Sequence, residues 1–392
     1  MEHTLLLTQD FPPDRGGMAR LYGELFIRLQ DVEVSAVAST VPEDGHDRRL
    51  HRMPFARGQA HHLPNILRWM RWASGHVARH HTGLVHAGNV RSAGYVAAWL
   101  RRQSGVPYLV YVHGKDVMKE QRKSSASAAV RMGTREILGH AGAIIANSSA
   151  TADLARELLC AVGRPRSANH VHVVHPGTDP ARFRPTASGA DVWRRSMADG
   201  GPLLLSVTRL VARKGIDTAI TALPAILARY PDARYVVVGT GPDQARLEAL
   251  ATATRVAAHV RFVGDVADDA LPACYAAADV FVLPVRTIPW DDEIEGFGIV
   301  YLEAAAAGVP SVATREGGVA DAVADGVTGL LVPPADPRAV AEAVLRLLDD
   351  AALRARLAHD GRRAVEQHFH WERAAYEVSA IGQRLRENAR RG

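Results

Sequence analysis

Short runs of β-branched and aliphatic residues alternate with Ala-, Arg- and Leu-rich stretches of helical length along almost the whole chain, and the alternation then starts afresh. His3–Thr8 reads as a buried strand and Met18–Leu29 as a helix. Val32–Ala38, Leu84–Ala87, Tyr108–His113, Ala143–Ala146 and Val171–His175 read as further short strands, most of them separated by helical stretches. The pattern restarts with a strand at Leu203–Val207, a helix at Gly215–Arg229 and a strand at Ala233–Val238. Val260–Val263, Val280–Leu283 and Ser311–Ala313 follow as short strands. Strands alternating with helices build parallel sheets covered on both faces. The expected fold is therefore α/β, with two Rossmann-like, doubly wound domains facing across a cleft. Two domains also suit 392 residues. The best boundary is Pro176-Gly177-Thr178-Asp179-Pro180 with the polar segment that runs to Gly201. It assigns residues 1–185 to the first domain and 186–371 to the second.

Bulk properties narrow the class. An apolar content of 47% and a charged content of 23% are those of a globular protein. No apolar run approaches the ~20 residues of a membrane span. The N-terminus runs straight into a strand without a signal-peptide pattern, and Cys160 and Cys274 stand far apart. Both features point to a reducing cytoplasm. Residues 1–190 carry 24 Lys and Arg against 15 Asp and Glu, the remainder 23 against 27. No recognition helix, zinc pattern or aromatic-basic motif directs that basic half to nucleic acid. No metal-ligand set is read from the spacing.

On open α/β sheets, ligands bind at the carboxyl ends of the strands, so the loops that follow strands hold the candidate sites. Asp14-Arg15-Gly16-Gly17 opens the first helix, either as a phosphate-approaching loop or as a plain βα turn. His113 ends a buried strand before Gly114, within hydrogen-bonding reach of whatever the cleft holds. Arg209 and Lys214 bracket the turn after Leu203–Val207, where two cations can clamp a diphosphate; Arg213 between them reads as solvated. Glu295-Gly-Phe-Gly-Ile-Val-Tyr-Leu-Glu303 places two carboxylates around a glycine-broken helix start whose free N–H groups suit a phosphate or sugar hydroxyls. Just before it, Pro284–Ile294 reads as a solvated loop whose Trp290 and acids would suit a cationic acceptor if the loop overhangs the cleft. Leu63–His80, with Arg68-Trp69-Met70-Arg71-Trp72, reads as an ordinary packed helix, with interfacial membrane contact as the other reading. His61, His62, His80 and His81 read as surface residues.

Taken in order, these motifs resemble retaining glycosyltransferases of family 4, which have the GT-B fold. Gly16-Gly17, His113-Gly114, Asn147-Ser148, His175-Pro176-Gly177-Thr178-Asp179, Arg209…Lys214-Gly215, Gly239-Thr240-Gly241, Phe262-Val263-Gly264 and Glu295…Glu303 carry the resemblance over nearly the whole chain. Pro284–Pro310 most resembles bacterial phosphatidylinositol mannosyltransferases and their actinobacterial relatives, which mostly use GDP-sugars. The resemblance implies Arg209 and Lys214 on the donor diphosphate and Glu303 on the ribose. It implies Glu295 and the backbone of Phe297, Gly298 and Ile299, with Val300 alongside, on the donor sugar and phosphate. Gly16 and Gly17 would approach the phosphate, His113 would contact the donor sugar, and Val263-Gly264-Asp265-Val266 would border the base. The helix 372–392 would return to the first domain.

Two departures shape the expected acceptor. Asp116 stands where the family often has Glu, and Ile288–Ile294 lacks the glycine-rich form of the phosphatidylinositol branch. A small soluble acceptor, as in natural-product or thiol metabolism, is therefore the main expectation, with Asp14, Asp116 and Trp290 as its candidate contacts. A lipid mannosyltransferase with peripheral membrane contact is the alternative. A sugar-nucleotide 2-epimerase and an inactive sugar-nucleotide-binding scaffold are alternatives of other classes. The expected mechanism is metal-independent and cofactor-free, with a GDP-sugar as co-substrate and retention of configuration. Nothing in the sequence specifies an oligomeric state.

Overall fold

The computed structural model describes residues 3–14, 16–29, 32–37, 49–198 and 200–391. They form two compact units, one made of the chain up to Pro176 together with the segment from Trp371 onward, the other of Gly177–His370.

The first unit holds a seven-stranded sheet of β1 (Thr4–Thr8), β2 (Val32–Val37), β3 (Leu50–Met53), β4 (Leu84–Ala87), β5 (Tyr108–Val112), β6 (Ala143–Ala146) and β7 (Val171–Val173). Its spatial order is 3-2-1-4-5-6-7, and every pairing is parallel. The second unit holds β8 (Leu203–Val207), β9 (Arg234–Val238), β10 (Val260–Gly264), β11 (Val280–Leu283), β12 (Ser311–Thr314) and β13 (Gly329–Val332). Their order is 10-9-8-11-12-13, again all parallel. Both sheets thus reverse their winding direction at one point, beside β1 and β4 in the first and beside β8 and β11 in the second. Loops leaving two adjacent strands diverge there and open a crevice at the carboxyl ends.

Helices cover both faces of a doubly wound sheet, so the central strands are buried throughout, which is why they read as unbroken apolar runs. Two strands escape that signal. β3 is Leu-His-Arg-Met and half exposed at the sheet edge, and β13, at the other sheet's edge, opens on glycine. An edge strand needs only one paired side and tolerates polar residues.

The boundary between units lies nearer the N-terminus than 185. Phe183 is fully buried in the second unit's core, edge-on to Tyr275 at 5.6 Å between ring centroids. Arg362 donates to the carbonyls of Ala306, Phe183 and Pro180, tying residues 180–183 to that unit. The final helix, Trp371–Arg391, belongs to the first unit. Arg28 pairs with Glu372 at 2.9 Å, and a Cβ added to Gly382 or Gly142 would meet Leu84 or Leu385 at 2.8 Å. Among the described residues, no helix is long and apolar enough to cross a membrane. The helix Leu63–His80 buries Trp69 completely, its Nε1 donating to Ser35 at 2.9 Å, as an ordinary packed helix does.

Trp371 is fully buried. Trp371→Ala is expected to cost about 3–5 kcal/mol of stability, read as a lower urea midpoint with an unchanged far-ultraviolet spectrum before the transition.

Candidate active site

In the second unit, the sequence after β8 makes a tight turn, Ala212–Lys214, and enters the helix Ile216–Leu227 through Gly215. Gly215 has φ 67°, and a Cβ there would come within 1.8 Å of the Pro284 carbonyl oxygen. Only glycine lets the loop after β8 press against the loop after β11 in this way. That contact sits at the winding reversal and brings Lys214 to Glu295.

Lys214 is buried, and its Nζ donates to Glu295 Oε2 at 2.5 Å. Arg213 donates to the same oxygen and, through Nε, pairs with Glu293 at 2.9 Å. Burial alone would raise the Glu295 carboxyl, but Lys214 and Arg213 outweigh it and hold it down to about 2. Burial lowers the Lys214 ammonium against the upward pull of Glu295. Arg213 is therefore not solvated. Two cations that lie 82 and 81 positions from Glu295 share its carboxylate, and adjacency in sequence gave no sign of the partner.

The loop 284–294 is also more ordered than a solvated loop. Arg286 forms a two-pronged pair with Asp217 at 2.9 and 2.8 Å, which lowers the Asp217 carboxyl against its burial. Ile288 and Glu293 exchange backbone hydrogen bonds of 2.7 and 3.1 Å, closing a small hairpin. Trp290 at its tip is 79% exposed. The hairpin satisfies its own backbone and leaves the indole in solvent.

The helix Ile299–Ala306 begins at Gly298 with φ 95° and no side-chain cap. Other helix starts of this chain are also uncapped, whereas Ser148, Asp336 and Asp350 each accept a backbone N–H of the helix they start. The uncapped start leaves the N–H groups of Ile299 and Val300 without intrahelical partners. Phe297 beside them is buried. Glu303 lies just over a turn into the helix, buried, and its Oε2 accepts from the Tyr275 hydroxyl at 2.5 Å. It does not join the Glu295 cluster. Tyr275, which orients it, carried no sequence signal. Arg209 is exposed, and its guanidinium makes no hydrogen bond or ion pair with any described residue. Val263 lies within the register shift between Phe262 and Gly264 at the end of β10, and Asp265 and Val266 follow the strand. Gly239 donates to the Gly264 carbonyl at 2.7 Å and Thr240 to Asp265 at 3.3 Å, so this stretch borders the loop after β9.

The first unit gathers a second set at its own winding reversal. Gly16 and Gly17 are exposed at the uncapped start of the helix Gly17–Arg28, which carries Tyr22. The Tyr22 hydroxyl donates to the Gly88 carbonyl at 2.5 Å and lies 2.7 Å from His113 Nε2. Its one proton goes to the carbonyl, so His113 carries its hydrogen on Nε2 and keeps the Nδ1 lone pair. Burial pushes the imidazole down to about 4, partly opposed by Asp10, so the ring is neutral. Asp116, in the first turn of the helix Lys115–Ala126, accepts the N–H groups of His113 and Val117 at 2.8 and 3.0 Å. Burial pushes its carboxyl up to about 6, and its Oδ2 is buried without a partner among the described residues. Asp14 closes a turn on Phe11 at 3.1 Å in the loop after β1. Tyr22 and Gly88 were not legible, because a tyrosine in a helix and a glycine after a strand are ordinary.

The model for glycosyl transferases group 1 matches residues 191–364, and that for glycosyltransferase family 4 matches residues 15–182. Over 387 residues the chain is 33% identical to the GDP-mannose-dependent alpha-(1-6)-phosphatidylinositol monomannoside mannosyltransferase of Mycobacterium tuberculosis, covering 97% of both. The chain belongs to glycosyltransferase family 4. It is also 31% identical to a D-inositol 3-phosphate glycosyltransferase of Salinispora tropica, covering 96% of this chain and 82% of that one. Among solved structures it resembles sucrose-phosphate synthase from Thermosynechococcus elongatus, with TM-score 0.78 and 26% identity over 98% and 99% of the two chains. Its fold is GT-B, with two Rossmann-like units, and it is a glycosyltransferase.

In this family 4 member the Lys214–Glu295 pair also couples stability to pH. The Glu295 carboxyl lies near 2 in the fold against an ordinary 4.5. Its contribution is therefore whole above pH 4.5 and is lost as pH falls towards 2. Glu295→Gln strands a buried ammonium and is expected to cost about 3–5 kcal/mol at pH 7. Urea unfolding at pH 7 and pH 3 should show that deficit shrinking at the lower pH.

Proposed function

We propose that this protein transfers mannose from GDP-mannose to an acceptor built on inositol, with the phosphatidylinositol-mannoside lipid class as its acceptor. The donor half of this reading rests on one observation, the buried Lys214 held beside Glu295 at the carboxyl ends of β8 and β11. A pre-placed ammonium favours charge that develops on a departing diphosphate more than it favours the intact donor. Arg209, with no partner among the described residues, is the second cation for that diphosphate. The uncapped N–H groups after Gly298 would hold phosphate or sugar oxygens, and Glu303 the ribose hydroxyls. Neutral His113 offers Nδ1 as an acceptor to a sugar hydroxyl. Gly16 and Gly17 would allow close approach of a phosphate, and the stretch Val263–Val266 would border the base.

The acceptor half rests on the relatives. Identity of 33% over nearly the full length of a GDP-mannose-dependent phosphatidylinositol monomannoside mannosyltransferase supports the lipid reading above the small soluble acceptor suggested by Ile288–Ile294. The inositol phosphate glycosyltransferase relative supports a second reading, a soluble inositol phosphate acceptor. The two acceptors share the inositol ring and a phosphate. Membrane contact would then be peripheral.

We further infer retention without a metal in the transfer step. Neither acid of the Glu295–Glu303 segment is offered as a nucleophile, since Glu295 is paired with Lys214 and Glu303 bonds Tyr275. The acceptor hydroxyl would attack the face that the diphosphate leaves. The departing β-phosphate would take its proton, and Lys214 and Arg209 would stabilise the GDP released.

Lys214→Ala leaves Arg213 to pair Glu295, so the fold should hold while turnover falls about 10²–10³-fold. Turnover within a few-fold of wild type would remove Lys214 from the mechanism. In a thermal-shift series with GDP, UDP and ADP, GDP is expected to stabilise most, by about 2.7 kcal/mol at 100 times its Kd. Stabilisation by UDP alone would overturn the donor assignment. Labelled mannose should enter the organic-extractable product when phosphatidylinositol mannoside is supplied. Incorporation only into soluble inositol 3-phosphate would establish the second reading instead.

A further inference from the structure

The amino ends of β1 and β2 lie at the opposite end of the first sheet from the loops that follow its strands, and five ionisable side chains meet there. Glu33 is the second residue of β2 and His51 the second of β3. His76 and His80 come from the last turns of the helix Leu63–His80, and His3 immediately precedes β1. Their arrangement follows from periodicity. Glu33 and Ser35 point to one face of β2, being two residues apart, while Trp69 and His76 are seven apart on one face of the helix. Trp69 Nε1 reaches Ser35 at 2.9 Å, and His76 Nε2 lies 3.4 Å from Glu33 Oε2. β3 runs beside β2 with His51 opposite Ser35, which puts His51 Nε2 3.1 Å from the same Glu33 oxygen.

We propose that Glu33, His51 and His76 bind one divalent transition-metal ion of the zinc class, which pins the helix Leu63–His80 to the β2–β3 edge. One oxygen and two imidazole nitrogens lie within 4.8 Å of one another. Donors bound to a tetrahedral zinc at 2.0–2.1 Å stand about 3.3–3.4 Å apart, and the observed separations of 3.1 and 3.4 Å bracket that spacing. His76 is the decisive ligand. Its side chain is only 2% exposed, yet its Nε2 is buried without a hydrogen bond among the described residues. A buried nitrogen aimed at a carboxylate and left unbonded is costly unless something fills the gap.

The surroundings are those of a supported metal site. The other Glu33 oxygen faces His3 Nδ1 at 3.6 Å and His80 Nδ1 at 3.9 Å, which orient the carboxylate. The His76 ring stacks between Trp72 and His80, with centroids at 5.0 and 4.4 Å and interplanar angles of 19°. Imidazole and carboxylate donors suit Zn²⁺ and its neighbours better than Ca²⁺ or Mg²⁺, which prefer all-oxygen sets. On binding, His51 keeps its hydrogen on Nδ1 and gives the Nε2 lone pair to the metal, and Glu33 stays ionised. Water completes the coordination. Because this edge lies away from the loops after β1, β4 and β5, the ion would be structural.

The test uses the untagged full-length chain, stripped with EDTA and dialysed against Zn²⁺. One zinc per chain by elemental analysis and a higher melting temperature than in EDTA are expected. His51→Ala, at a half-exposed position, should melt like wild type in EDTA and bind zinc at least about ten-fold more weakly. His76→Asn should lose the zinc-dependent rise in melting temperature. Replacing both His61 and His62 by Ala should leave binding intact. No zinc retained by the wild type would overturn the proposal, as would wild-type affinity in His51→Ala. Loss of binding only in the His61/His62 variant would assign the metal to those surface histidines and overturn it equally.

Discussion

A parallel sheet with both faces covered by helices leaves only its two ends open to solvent chemistry, and the candidate sites of this chain are arranged around that constraint. The faces must be apolar, so the central strands carry no catalytic group. The carboxyl ends receive every loop that leads into a helix. At the winding reversal two such loops diverge, and the chain places its polar residues there. In the second unit these are the turn after β8 and the segment after β11, locked together where Gly215 passes the Pro284 carbonyl. In the first they are the loops after β1, β4 and β5, linked by the Tyr22 hydroxyl between Gly88 and His113.

Electrostatics at these two places take opposite forms. Lys214, Arg213 and Glu295 make a compensated cluster, in which burial costs are offset by direct pairing and the carboxylate stays ionised. Such a cluster pairs opposite charges in a place where water screens them little. In the first unit burial instead shifts two polar groups toward their neutral forms. Burial takes His113 down to about 4 and Asp116 up to about 6. The neutral imidazole suits recognition of hydroxyl groups, which carry no charge.

The opposite, amino end of the first sheet shows what the same periodicities do when no catalytic loop is present. Two-residue alternation in β2 and a seven-residue spacing in the helix bring Ser35 to Trp69 and Glu33 to His76. One contact is a core hydrogen bond and the other a cluster of metal-ligand type. The donors come from residues 33, 51 and 76, so no short spacing marks them in the sequence.

How much was legible follows from the range of each interaction. Strands such as Leu203–Val207 and Val280–Leu283 are read directly because burial on both faces demands continuous apolar runs. The edge strands β3 and β13 are not, because β3 is only partly buried and carries His51 and Arg52, and β13 opens on glycine. Gly298 and Gly215 are legible because a left-handed backbone at a helix start admits glycine almost alone. The ordered series of motifs was enough to identify the family. Pairings across tens of residues were not legible. Arg213 looked solvated until the fold supplied Glu293 and Glu295, Glu303 proved to bond Tyr275, and Phe183 crossed to the second core. By itself the sequence determined the elements, their alternation and the glycines that break them, since those depend on local sterics and burial. Only the tertiary structure decided which charges meet and which stay neutral, because partner choice and desolvation depend on the distance between groups that the chain keeps far apart.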